Sequence, residues 1–187
     1  MIIKKNTHAP LRFPRFYTEH QPIRYEIEFT ESCKYRFGTD DDNDINKLFG
    51  VAFITWGSVW FTLKSIGRVI VKRKLSEFKS LHHYNSFRFG WRYNPLMNEF
   101  ESFEYGYKNG VRFFEYMESF LVGDVMRLSL IPVGYVLGSG MQYYMGSNRL
   151  DYEYYPAPEK CLMYQLHPYF GGNRKATQDM EIKMKRL

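Results

Sequence analysis

The chemistry-bearing residues that stand closest together are three glutamates, in the run Glu99-Phe100-Glu101-Ser102-Phe103-Glu104. Two carboxyls of such a set divide the work of nucleophile and acid when they lie roughly 5 Å apart and their surroundings drive their pKa values apart. On an unbroken strand Glu99 and Glu101 share one face and Glu104 takes the other, so the run reads as solvated strand carboxylates unless a bulge re-aims one of them. Asp40, Asp42 and Asp44 occupy the first three odd positions of a calcium loop. The sixth position is Ile45 instead of Gly and the twelfth is Val51 instead of Glu, so the expectation is a solvated loop. In that loop Asp44 is placed to cap a short helical turn through Ile45, Leu48 and Phe49. His82 and His83, if on a strand, point to opposite faces and do not share an ion, and His167 stands alone before Pro168. Cys33 and Cys161 have neither a second Cys nor a His at ligand spacing, and are expected to be reduced core thiols. The chain has no nucleophile elbow and no phosphate loop. No catalytic residue, cofactor or metal ligand is therefore expected.

Charge narrows the partners. The net charge is +6, from 26 basic and 20 acidic residues, which favours polyanions only mildly and predicts no specific nucleic acid. The run Lys72-Arg73-Lys74 and the tail residues Lys183, Lys185 and Arg186 are short enough to be solvated faces. The start of the chain carries no apolar signal core, so no secretion signal is expected and a cytoplasmic setting is favoured. The uncharged stretch Leu48 to Leu63 is too short to span a bilayer, and extending it to Val71 admits Lys64 and Arg68. A buried strand pair is expected there, and no membrane partner.

Strands carry most of these residues. Phe, Tyr and Trp make up 19 % of the 187 residues, while the best helix former, Ala, occurs only at positions 9, 52, 157 and 176. Residues 24–30 alternate, with Tyr25, Ile27 and Phe29 on one face. Phe87, Phe89, Trp91 and Tyr93 alternate with Arg88, Gly90 and Arg92. Residues 97–107 and 111–117 flank Asn109-Gly110, the favoured type I′ hairpin turn. Further strands are expected at 125–131, 133–137, 141–145, 161–166 and 180–184, and a short helix opened by Ser76 through Phe78 and Leu81. Some nine short strands with turn chemistry between them predict an all-β fold: an antiparallel, jelly-roll-like β-sandwich over 23–187 with at most one or two short helices. Residues 1–22, with Pro10, Pro14 and Pro22 and no sustained period, read as an extended N-terminal arm.

Two resemblances add to this reading. The glutamate run resembles the Glu-x-Asp-x-x-Glu signature of retaining jelly-roll β-glucanases. That would make Glu99 the nucleophile, Glu101 the helper and Glu104 the acid, with Trp91 as a sugar platform; the longer Glu101 in the middle and the six-residue extent depart from the pattern. The segments Asn46–Gly50, His82–Arg92 and Pro168–Asn173 resemble a group of small, uncharacterised all-β proteins of gut-dwelling anaerobes and their phages. That resemblance covers about residues 25–185, with Val51–Leu81 as an insertion. It implies a sandwich fold and no assigned activity, and its phage members favour a virion setting beside the cytoplasmic one.

Three functions follow as expectations. The first is a non-enzymatic structural or assembly protein, such as a virion component, meeting protein partners through Leu11, Phe13, Phe16 and Tyr17 on the arm. The second is a carbohydrate-binding module presenting rings to a glycan, with Trp91, Tyr93, Tyr169 and Phe170 as the candidate ligand-binding residues and Tyr105 and Tyr107 beside them. The third is a β-glucanase relative using Glu99 and Glu104. The discriminating observation is where the arm lies.

Overall fold

The computed structural model describes the chain apart from residues 11–14, 18–21, 75–77, 136–137, 146–147, 156–161 and 172–173. Its strands are β1 (Ile2–Ile3), β2 (Phe16–Tyr17), β3 (Ile23–Phe29), β4 (Asn46–Ile54), β5 (Ser86–Asn94), β6 (Glu99–Lys108), β7 (Val111–Phe120), β8 (Val125–Tyr135), β9 (Gly138–Met145), β10 (Asn148–Tyr155), β11 (Leu162–Leu166) and β12 (Met180–Arg186). They form two antiparallel sheets, ordered β1-β12-β3-β8-β9-β10 and β2-β11-β4-β5-β6-β7. The chain meanders through β4 to β7 in one sheet and β8 to β10 in the other. It then crosses back to lay β11 beside β4 and β12 beside β3. This is the antiparallel, jelly-roll-like sandwich that alternation and turn chemistry predict.

Side-chain period explains the layers. Tyr25, Ile27 and Phe29 of β3 face Phe87, Phe89, Trp91 and Tyr93 of β5 across the interior, and all are buried. The Phe29 ring lies 4.8 Å from Trp91 and 4.9 Å from Phe100, so the core is built largely of aromatic contacts. The opposite face of β3 carries Glu26 and Glu28, which pair with Lys185 and Lys183 of β12. The basic tail is thus matched by acids of its neighbouring strand. Asn109 and Gly110 take positive φ of 52° and 83°, as the β6–β7 hairpin requires.

The expected strand pair breaks down after Ile54. Residues expected to continue as strand through Leu63 instead form α1 (Trp56–Lys72), so the pair of buried strands is one strand, β4, followed by a helix. Thr55 closes a capping box: its hydroxyl accepts from the Ser58 amide at 3.2 Å, and Ser58 Oγ accepts from the Thr55 amide at 2.9 Å. The β-branched residues Val59, Ile66, Val69 and Ile70 point to a strand. The helical period is carried by Lys64, Arg68 and Lys72, four residues apart. The turn ascribed to Asp44 also differs: the helical turn precedes it, at Asp40–Asn43, and Ile45 leads into β4. Of the helix expected near Ser76, residues 75–77 lie outside the described residues, and Leu81–His83 form a single 3-10 turn.

The arm is held by its own sandwich wherever it is described. β1 pairs with β12, and β2 with β11. Between them the backbone bonds repeatedly to the segment after β11: Asn6 N to Ala176 O at 2.8 Å, Ala176 N to Thr7 O at 3.0 Å and Phe170 N to His8 O at 2.5 Å. Of the proposed arm anchors, Leu11 and Phe13 lie outside the described residues. Phe16 is 58 % exposed and stands 6.1 Å from the Tyr164 ring, and Tyr17 pairs by its backbone with Met163.

Candidate functional site

The outward face of the second sheet carries the site. Outward positions in line across it are Leu166, Gly50, Arg88, Tyr105 and Phe114, with Tyr164, Ala52, Ser86, Tyr107 and Arg112 in the neighbouring row. A register shift in β4 between Lys47 and Gly50 re-aims Lys47 onto this face, with its ammonium 5.1 Å from the centre of the Tyr105 ring. Gly50 provides the floor: a Cβ there would come within 2.6 Å of Arg88 Cγ, so only glycine lets the arginine lie flat across β4.

Loops wall this face into a groove of about 720 Å³. One wall is the turn Leu81–His83 with Lys79. The other is built by His167 to Gly171 with Ala9 and Pro10 of the arm, where the His8 and Tyr169 rings stack in parallel with centroids 4.9 Å apart. Buried Asn46 ties that wall down, accepting from Gly171 N at 2.6 Å and donating to the Tyr35 hydroxyl at 2.8 Å. Gly171 has a positive φ of 70°, a conformation that favours glycine at this position.

The groove is cationic, and among the described residues its cations outnumber its acids. Arg88 is buried, donates from Nη2 to His167 O at 2.7 Å, and leaves Nε without a hydrogen-bond partner among the described residues. Burial pulls its guanidinium down to about 10. Lys47 is pulled to about 8, first by burial and then by Arg88. Neither of these cations, nor Arg112 at the groove edge, forms an ion pair among the described residues. Asp44 is the carboxylate among the groove's lining residues, and it acts on Lys47 only after burial and Arg88. His82 and His83 are held neutral, at about 3 and about 4, again by burial first. Burial raises the Tyr105, Tyr164 and Tyr169 hydroxyls, so they remain protonated donors. The site therefore offers fixed positive charge, neutral imidazoles, phenol hydroxyls and ring faces.

Other candidates fall elsewhere. Glu99 and Glu101 lie on the outward face of β6 and Glu104 on the inward one, because β6 keeps an unbroken register with β5. The irregularity expected of a catalytic strand lies on the β7 side of the sheet. Glu101 accepts from Arg92 and Asn94, and Glu104 is buried opposite Phe89. Trp91, Tyr93 and Phe170 are core side chains, not ligand platforms. Tyr105, Tyr107 and Tyr169 line the groove, with Tyr105 largely covered. His82 and His83 sit on a helical turn instead of a strand, so their rings do meet, 4.2 Å apart, each beside Ser80 Oγ. Among the described residues no three His, Cys, Asp or Glu side chains are grouped to hold a metal. Asp42 instead accepts from the Phe37 and Gly38 amides, and Asp41 pairs with Arg174. Cys33 is a buried free thiol, bonded to Glu181 O. Sequence reasoning missed Lys47, Arg88, Arg112 and His8 as site residues; the signal available was the outward position of Arg88 between the inward rings of Phe87 and Phe89.

No family model matches the chain, and no curated protein matches it. Among solved structures, the carbohydrate binding module CBM66 from Bacillus subtilis is similar with a TM-score of 0.31 and 6 % identity, over 90 % of this chain and 77 % of that one. The κ-carrageenase from Pseudoalteromonas carrageenovora, solved with an oligotetrasaccharide of κ-carrageenan, is similar with a TM-score of 0.35 and 8 % identity, over 99 % of this chain and 66 % of that one. Similarity at this level carries nothing about ligand or activity.

Proposed function

We propose that this protein is a non-catalytic binding protein that holds an acidic saccharide, sulfated or carboxylated, in the groove over Gly50 and Arg88. The observation that carries the reading is Arg88: a buried guanidinium across the groove floor, with no carboxylate partner and one unsatisfied N–H among the described residues. A charge kept out of water without a counter-ion costs stability, and an anion entering the groove offsets that cost. Tyrosine hydroxyls and ring faces, with neutral His82 and His83, supply the hydrogen bonds and stacking that a polar ring ligand needs. A non-catalytic role is supported by Glu99 and Glu104 standing on opposite faces of β6. The assembly reading rested on an arm reaching another chain, and the described parts of the arm pair at home.

The test is calorimetric titration with acidic oligosaccharides and with neutral ones of the same backbone. The acidic ligand should bind at least about tenfold more tightly, about 1.4 kcal/mol, and weaken as salt rises. Equal affinity for both, or product release from the oligosaccharide, would overturn the reading.

A further inference from the structure

α1 is mounted with its apolar side outward. The face that meets the domain carries Ser58 and Ser65, both fully buried, with Ser65 Oγ bonded at 3.0 Å to both the amide and the carbonyl of Lys79. Phe61 completes that contact, its ring 5.3 Å from Tyr84. The opposite face presents Trp56, Trp60, Leu63, Ile66, Ile70 and Val71, all exposed, with Trp56 at 90 % and Val71 at 83 %. A helix of a water-soluble domain ordinarily turns such a stripe to the core, and an apolar patch of this extent marks an interaction surface.

Charge indicates what covers it. Lys64 and Arg68 run along one flank of the stripe, and Lys72, Arg73 and Lys74 come at its C-terminal end. No Asp or Glu occurs from Ile45 to Ser76. Lys64 Nζ lies 5.3 Å from the centre of the Trp60 ring, so cation and indole share one border of the stripe. Apolar side chains bordered by cations, with the Trp60 indole beside one of them, match the boundary between acyl chains and anionic headgroups. We propose that α1 lies flat on an anionic lipid surface, with Trp56, Trp60, Leu63 and Ile70 entering the headgroup boundary. No helix among the described residues is long and apolar enough to cross a membrane, so the contact is peripheral. At about 1.5 Å per residue, the 17 residues of α1 cover about 25 Å of surface. This inference is independent of the groove.

The experiment is co-sedimentation of the full chain with vesicles of phosphatidylcholine alone and of phosphatidylcholine with about one third phosphatidylglycerol, the composition that creates the surface potential basic residues sense. Partitioning should be at least about tenfold stronger on the anionic vesicles, fall on raising salt, and blue-shift tryptophan emission. Trp60→Ser with Leu63→Ser should abolish it, and Lys64→Gln with Arg68→Gln should reduce it several-fold, with circular dichroism unchanged in each. Failure to partition onto either vesicle overturns the proposal. So does equal partitioning onto both. A concentration-dependent dimer that Trp60→Ser with Leu63→Ser disperses would assign the face to a second copy instead.

Discussion

Replacing Arg88 with Met tests the groove where structure and function pull in opposite directions. Burial holds the guanidinium down to about 10, more than two pH units below its usual range. At about 1.36 kcal/mol per unit this amounts to roughly 3 kcal/mol of stability given up to keep the charge in place. The sign follows from the depressed pKa of a base. Folding disfavours the charged form, so the cost is full below about pH 10 and fades only as pH rises beyond it. Met removes the charge while filling much of the same volume between Tyr105, Leu166 and the Gly50 floor. It also removes the bond from Nη2 to His167 O, which as a charge-assisted bond is worth about 1.5–3 kcal/mol. The balance is roughly 0–1.5 kcal/mol in favour of the variant, or a rise in Tm of up to about 6 °C for a chain of this size. Differential scanning calorimetry at pH 7 measures it, and the same variant should lose acidic-saccharide binding. A fall in Tm of more than about 4 °C, on the same scaling, would refute the argument and make Arg88 a structural anchor.

Other outcomes rest on particular contacts. Lys47, held at about 8, must be protonated to meet an anion, so affinity for the acidic ligand should fall as pH rises through 8 and binding near that pH should take up protons; heats independent of buffer ionisation would contradict it. Gly50→Ala would put a Cβ 2.2 Å from Phe87 O and 2.7 Å from Arg88 Cα, both backbone, and should cost at least about 2 kcal/mol in urea unfolding; an unchanged midpoint would count against the close approach. A chain beginning at Ile23 removes β1 and β2 and bares the edges of β12 and β11, so it should melt lower or aggregate; a monomer of unchanged Tm would show that the arm contributes nothing to the sandwich. Burial pushes the Cys33 thiol up to about 11, so iodoacetamide at pH 8 should leave it unmodified in the native protein, as peptide mass mapping reports; rapid labelling there would place it at the surface.

How much was legible varies by element. The alternation of residues 24–30 and 86–94, and Asn109-Gly110 between strands, made the sandwich readable, because a half-buried strand writes its two faces into the sequence at period two. α1 was not readable as a helix. Its β-branched residues and the uncharged run up to Leu63 describe a buried strand. The matter is decided by the Thr55–Ser58 cap and by β4 already having β11 and β5 as its two neighbours, which leaves no place beside it for the next segment. Aromatic rings were misassigned for a related reason: the residue type says that Trp91 and Phe170 seek apolar surroundings, but core and ligand platform satisfy that equally.

From the residues alone came the chain's class, its β content, the hairpin turn, and the division of Glu99 and Glu101 from Glu104 across one strand. All of these depend on neighbours within a few positions. The groove depends on none. Lys47, Arg88 and Tyr105 come from three strands, His8 from the arm and Tyr169 from the far end of the chain. They meet because β11 returns beside β4 and because the β4 register shift and the bare backbone of Gly50 leave room for an arginine. Strand order and burial are properties of the whole fold. Only tertiary structure could therefore turn scattered surface-type residues into a desolvated cationic site, and leave the apolar face of α1 in the open.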